Sequence, residues 1–299
     1  MKYPDLFVSK IIGAFGDEGR VWLVGLDSLI ETYLKKWKLQ SAGPVSNLSY
    51  NYVLKVLDEN DNSAILKIGI PHSDFSNEIR TLQAYDGKGC VKLLKADAEN
   101  GVMLLEHLLP GTTLVEVEEQ LAIKRFAQVW TAIRKPVQIN ADHPSNVDWM
   151  IAFDRYLHKY SAKEGPIPKD FIQLAKTYSR DIIDSSLGNE LLHGDLHHEN
   201  ILFSNHYGWL AIDPKGVIGD RYFDLTSFLI NQLHNNDNPR RLLEKRVMLL
   251  CEELQLDKDR LLKACVVMGT LSACWAVEDN DAFWMEAYQS AQWFYALTL

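Results

Sequence analysis

Apolar and polar positions follow two different rhythms along this chain. Leu26, Leu29, Ile30, Tyr33, Leu34 and Trp37 recur at helical spacing and predict an amphipathic helix over 27–38. A turn at Gly43 and Pro44 follows, and the period then shortens. Residues 50–56 and 64–68 read as strands about a polar turn at 58–62. A helix is expected over 77–85, then a second hairpin, 91–96 and 102–108, about a turn at 99–101. Beyond Pro110-Gly111 the rhythm is helical again, over 114–135, 145–163, 168–186, 223–236, 239–255, 258–277 and 281–297. Short strands interrupt it at 201–203 and 209–212. The chain therefore predicts an α+β protein. A small antiparallel-sheet lobe spans 1–109 and a larger helical lobe spans 110–299.

Composition narrows the class. Of 299 residues, 47% are hydrophobic and 24% charged, as in ordinary globular proteins. The net charge of −9 argues against nucleic acid as a partner, because a phosphate backbone is met by clustered Lys and Arg. The four cysteines form no C-x-x-C pair and read as reduced core residues of a cytoplasmic protein. The first ten residues lack the apolar run of a signal peptide. The most apolar stretch, 261–277, is interrupted by Lys263, so a buried helix is expected rather than a membrane span.

The chemistry is concentrated in Leu192-His193-Gly194-Asp195-Leu196-His197-His198-Glu199-Asn200-Ile201-Leu202. Asp195 and Asn200 are five apart, and Asp213 follows thirteen residues after Asn200, at the end of an apolar strand. Moving a phosphoryl group asks for metal ions on the phosphates and a carboxylate that orients the attacking hydroxyl. A loop Asp followed five residues later by Asn is the kinase spacing for those two tasks. Asp195 is thus the candidate catalytic residue. Asn200 and Asp213 are the candidate Mg2+ ligands, oxygen donors of the kind this ion prefers. His193, His197 and His198 could instead suggest a transition-metal site, but no carboxylate at a familiar spacing completes one.

The sheet lobe supplies a second set. Lys67 lies between Leu66 and Ile68 on a predicted strand, and Glu78 follows on a predicted helix. A lysine beside nucleotide phosphates needs a fixed carboxylate partner, which Glu78 can be. The 43–49 loop has a single glycine and is no G-x-G-x-x-G loop, though Ser46, with Asn47 and Ser49, can donate to phosphate. The strand from Met103 is expected to lead into a hinge where Glu106, His107 and Leu108 meet the purine.

These words resemble the aminoglycoside and hydroxyurea antibiotic-resistance kinases, whose best-known members are streptomycin 6-kinases. The resemblance rests on Leu48-Ser49-Tyr50-Asn51-Tyr52-Val53, on His193 to Asn200, on Trp209-Leu210-Ala211-Ile212-Asp213-Pro214-Lys215, on Gly219-Asp220 and Asp224-Leu225, and on Leu271 to Asp279. It implies a protein-kinase-like bilobal fold with ATP (or GTP) and Mg2+ bound between the lobes. It also implies His193 and Asp224 as braces of the catalytic loop. Two positions depart from the family pattern. Glu199 stands where a small residue, often Gly, is common, and Arg221 stands where Pro is common after Gly-Asp.

The resemblance implies a small hydroxylated, cationic acceptor such as streptomycin or a related aminocyclitol, phosphorylated by a cytoplasmic monomer or weak homodimer. Glu278, Asp279 and Trp275, with His197, are the expected acceptor contacts: carboxylates for ammonium or guanidinium groups, an indole face for a ring. A protein kinase is the alternative, opposed by the missing A-P-E word and the short run from Asp213 to the next helix. A nucleotide-binding pseudokinase is opposed by the intact set Lys67, Asp195, Asn200 and Asp213.

Overall fold

The structure, a computed structural model, describes residues 3–137 and 142–299. The chain divides into two compact units. One comprises the residues up to Gly111 with Ser204–Gly208, the other Thr112–Phe203 with Trp209–Leu299.

The first unit begins with helix α1 (Asp5–Trp37), which is broken at Gly16 by φ 55° and ψ −127°. The chain doubles back there, so that the Tyr3 hydroxyl donates to Asp27 at 2.6 Å and the Phe7 and Trp22 rings lie 6.2 Å apart. Periodicity predicted only 27–38 of this helix. Gly13, Gly16, Gly19 and Gly25 weaken the pattern upstream, and packing between the two arms outweighs their low helix propensity.

Five strands follow: β1 (Gln40–Pro44), β2 (Tyr52–Leu57), β3 (Ser63–Ile68), β4 (Leu93–Asp97) and β5 (Val102–Glu106), with α2 (Ser73–Tyr85) between β3 and β4. They form one antiparallel sheet in the order β1-β2-β3-β5-β4. The expected turn at Gly43-Pro44 is instead the end of an edge strand, where a register shift between Ser41 and Pro44 accommodates a proline that cannot donate to a ladder. Leu54 and Val56 of β2 and Leu66 and Ile68 of β3 are buried with Leu26, Ile30 and Tyr33 of α1. Each such aliphatic side chain contributes ~1.5 to 3 kcal/mol by leaving water. Lys67 sits mid-sheet, opposite Val53 on one side and Met103 on the other.

A short strand, β6 (Pro110–Thr113), precedes helix α3 (Glu119–Ile133). The second unit then runs through β7 (Lys135–Pro136), α4 (Asn146–Lys159), α5 (Lys169–Asp184), β8 (Glu190–Leu192), β9 (Ile201–Ser204), β10 (Gly208–Ala211) and β11 (Val217–Gly219). It ends in α6 (Thr226–Ile230), α7 (Pro239–Leu254), α8 (Lys258–Glu278) and α9 (Trp284–Ala296). Strands β7, β8 and β11, too short to show a period, make a small antiparallel sheet with β8 in the centre.

The expected long helix over 223–236 is a correction. Only α6 is α-helical there, because Asn231 is extended and Gln232 adopts φ 56°, which ends the helix. Helix α8 is buried almost all round and packs on α4, α5 and α9. Among the described residues it alone is long and apolar enough to cross a membrane, and 78% of its apolar window is inside the protein. Cys90, Cys265 and Cys274 are buried free thiols, and Cys251 is half-buried.

Gly19 tests the packing of the two α1 arms, since a Cβ there would stand 2.7 Å from the Ile11 carbonyl oxygen. Gly19→Ala is expected to cost about 1 to 3 kcal/mol through overpacking, read as a lowered urea midpoint. An unchanged or raised midpoint would refute close contact between the arms.

Candidate active site

In the first unit, the Lys67 Nζ donates to Glu78 Oε1 at 2.6 Å, and the two side chains are only 4% and 10% exposed. The antiparallel register of β3 and the start of α2 bring them together. His72, at the N-cap, accepts from the Asp74 N–H and sets the first turn of α2. Glu106, at the end of β5, donates its N–H to the Lys92 carbonyl, while its carboxylate accepts the Lys92 N–H at 2.8 Å. His107 is held by Ser63 Oγ at 2.6 Å, and Leu108 is buried. Ser46 lies exposed on the loop between β1 and β2.

In the second unit, β8 leads into the candidate catalytic loop from His193 to Asn200. The buried Asp224 carboxylate accepts the N–H of Gly194 at 2.7 Å and that of His193 at 3.3 Å. Its burial pushes its pKa up to about 7 against the effect of those two donors. His193 is wholly buried, and burial drives its pKa down to about 3, so it is neutral. Its Nε2–H donates to the Ile212 carbonyl at 2.8 Å, and its Nδ1 accepts the Asp195 N–H at 3.2 Å. Gly194 turns the loop with φ 81°, and a Cβ there would stand 3.1 Å from side-chain atoms of both Lys215 and Trp149. The same tie through Ile212 carries the chain to Asp213, a non-glycine residue at φ 57°. A residue in that region costs energy and is commonly found where function demands it.

Asp195 keeps 38% of its side chain exposed. Its pKa is raised, first by desolvation and then by the neighbouring Asp213 and Glu199 charges, against opposing pulls from His197 and Lys215. Asn200 donates its Nδ2 to the Asp195 carbonyl at 2.9 Å. His197 lies between Asp195, 3.7 Å away, and Glu199, 2.9 Å away. Burial opposes its charging, but the Glu199 hydrogen bond and the nearby carboxylates outweigh this and raise its pKa. Bonding to His197 draws Glu199 down to about 2. His198 turns inward instead and stacks on Phe228 at 4.3 Å. The three histidines do not converge: among the described residues no group of three or more His, Cys, Asp or Glu could hold a metal ion.

A cavity of about 300 Å³ opens beside this loop, lined by Asp195 and His197, by Asn231, Gln232 and Asn235 of the broken helix, and by Phe283 and Glu286 before and in α9. Of the expected acceptor contacts only His197 faces it. Glu278 is held by a bidentate pair with Arg155, at 2.8 and 2.9 Å, and Trp275 packs edge-on against Trp149 at 5.4 Å. Asp279 is exposed at the end of α8. Glu278 and Trp275 both meet partners on α4 that no local spacing reveals. Asn231, Gln232, Asn235, Phe283 and Glu286 of the cavity wall lie outside every motif. Their only sequence signal is the polar, amide-rich run 231–238 before Pro239.

Residues 36–280 match the family of the aminoglycoside/hydroxyurea antibiotic resistance kinases. The chain belongs to this family. It is similar to a streptomycin 6-kinase of Streptomyces glaucescens, 29% identical over 295 residues, covering 94% of this chain and 93% of that protein. It also resembles a hydroxyurea phosphotransferase of Kitasatospora aureofaciens, 29% identical over 89% of this chain and 77% of that one. Among solved structures, choline kinase LicA of Streptococcus pneumoniae superposes with a TM-score of 0.61 at 15% identity, over 91% of this chain and 99% of the other. LicA has also been solved in complex with AMP. The fold is therefore protein-kinase-like, and this aminoglycoside/hydroxyurea kinase family member is a phosphotransferase with an alcohol group as acceptor.

The buried Lys67–Glu78 pair gives a measurable stability effect. Glu78→Ala leaves an ammonium buried without its carboxylate, and a loss of ~3 to 5 kcal/mol in unfolding free energy is expected. The Lys67→Met/Glu78→Ala double variant should recover part of it in a double-mutant cycle. Additive losses would show that the two groups are not coupled.

Proposed function

We propose that this protein transfers the γ-phosphoryl group of ATP, with Mg2+, to a hydroxyl of a small molecule bound beside Asp195. The observation that carries this reading is the Asp195 carboxylate, braced through His193, Gly194 and Asp224 and opening onto a cavity of molecular size. Asp195 accepts or orients the acceptor's hydroxyl proton. Its raised pKa, caused first by desolvation, brings it nearer the proton it must take.

The donor set fits a hard cation. Both carboxylates, Asp195 and Asp213, lie close enough to raise the cost of each other's charge. Asn200 has its amide nitrogen committed to the Asp195 carbonyl, so the oxygen is its remaining donor. Asn200 and Asp213 would hold the ion, which would supply positive charge to neutralise the phosphates. Lys67, fixed by Glu78, serves the nucleotide phosphates. The purine contact falls to the backbone of 106–108, where the Glu106 N–H is already used within the sheet.

The relatives support an acceptor class of streptomycin and related aminocyclitols first, hydroxyurea second. The exposed Phe283 ring and the Glu286 carboxylate offer a cationic, ring-bearing molecule a face and a countercharge. With ATP as donor, the enzyme is placed in the cytoplasm. A phosphoryl-transfer screen with ATP and GTP against such a panel tests the reading. Transfer to peptides alone would overturn it.

Asp195→Asn is expected to keep the folded far-ultraviolet spectrum and nucleotide binding while lowering turnover by ~10²-fold or more. In the wild type, activity should fall as pH drops through the raised Asp195 pKa, because protonation removes the base. That acid limb should lie above the ordinary aspartate value of about 3.9. Near-wild-type turnover in Asp195→Asn would remove this carboxylate from the mechanism.

For the acceptor, Glu286→Gln and Phe283→Ala should raise its KM several-fold and leave the KM for ATP unchanged. Glu278→Gln should leave both unchanged, because Glu278 serves Arg155. The opposite ranking, measured by steady-state kinetics on one acceptor, would return the site to the end of α8.

A further inference from the structure

Asn200 can serve a cation only through its oxygen, and nothing in the shape of an amide says which end faces the ion. We propose that Glu199 is a positioning residue that acts through His197 to fix the Asn200 amide with its oxygen toward the metal. The proposal rests on the reading of Asn200 as a Mg2+ ligand.

The chain of bonds runs in one direction. A carboxylate can only accept, so the 2.9 Å contact between His197 Nδ1 and Glu199 Oε2 places the ring proton on Nδ1. Glu199 also favours the charged ring, which has a proton on both nitrogens; once that ring has lost its second proton, Nε2 is a lone pair. Asn200 Nδ2 lies 3.1 Å from it and 2.9 Å from the Asp195 carbonyl oxygen, so both amide hydrogens have acceptors. With the nitrogen end used twice, Oδ1 is turned the other way. A proton on Nε2 instead would set one N–H against another. The amide would then gain by rotating about its last bond, offering the ion an NH2 group with no lone pair to give.

Glu199 is itself held. Its other oxygen accepts from Gln232 Nε2, and the Gln232 carbonyl oxygen accepts from Asn235 Nδ2 at 2.6 Å. Gln232 reaches it from a backbone at φ 56°. Four side chains therefore line up from the cavity wall to the candidate metal ligand: Gln232, Glu199, His197 and Asn200. Partners of this kind, one bond removed from the ion, typically change metal affinity by ~10- to 100-fold when deleted.

The test uses two readouts. Ring-nitrogen NMR of His197 in the nucleotide-free protein, above the pH of its titration, should show the Nδ1–H tautomer in the wild type. In Glu199→Ala the Nε2–H form should gain. In kinetics at that same pH, Glu199→Ala should raise the Mg2+ activation constant ~10-fold or more while the acceptor KM stays within about 2-fold. Glu199→Gln keeps a carbonyl that accepts from Nδ1–H, so it should restore both the tautomer and the metal constant to within about 3-fold of wild type. A wild-type tautomer or metal constant in Glu199→Ala would overturn the proposal, as would Glu199→Gln behaving like Glu199→Ala. A wild-type protein without Mg2+-dependent transfer would overturn the functional reading and the metal half of this one. The tautomer measurement would then decide alone whether Glu199 sets the ring.

Discussion

Two backbone N–H groups, those of His193 and Gly194, point at one buried carboxylate. That contact fixes where the catalytic loop leaves β8, and much of the site inherits its position. A carboxylate with no water around it is costly to ionise, which is why the Asp224 pKa rises to about 7. The two N–H groups partly offset that cost, and in return they cannot turn elsewhere. From there the order is sequential. Gly194 turns with a positive φ, His193 reaches Ile212 beneath the loop, and the Asp195 N–H is caught by the His193 ring. The Asp195 side chain, the proposed base, is thus aimed by buried groups beneath it.

The first unit handles the same problem differently. There the charged pair is Lys67 and Glu78, and each stands in for bulk water that the other has lost on burial. Strand β3 supplies rigidity to one partner, and the capped start of α2 supplies it to the other. A surface pair of the same residues would contribute little and wander among rotamers. Burial converts it into a fixed coordinate.

The legibility of this protein in its sequence follows the range of the interactions involved. The two hairpins depend on neighbours within a few residues, and the loop from His193 to Asn200, though held from Asp224 and Ile212, carries its residue types at a fixed spacing, so both patterns are readable. Strand β1 was read as a turn because its only support is a distant partner, β2. The first arm of α1 was missed because its stability comes from the second arm rather than from its own periodicity. The surroundings of the expected acceptor contacts are long-range too. Glu278 and Trp275 have the right chemistry for a cation, but Arg155 and Trp149 on α4 engage them. Asn231, Gln232 and Glu286 have unremarkable surroundings in the sequence and become a wall only when α6 stops short.

That early stop of α6 divides the active site into two materials with different evolutionary prospects. The catalytic loop is underpinned by residues with almost no exposed surface, so nearly any change there disturbs folding before it alters selectivity. Across the cavity, Asn235, Phe283 and Glu286 are exposed and belong to no core. Substitutions at these three can accumulate with little loss of stability. A lineage built on this scaffold can therefore explore new acceptors by drift along one wall while its phosphoryl chemistry stays constant.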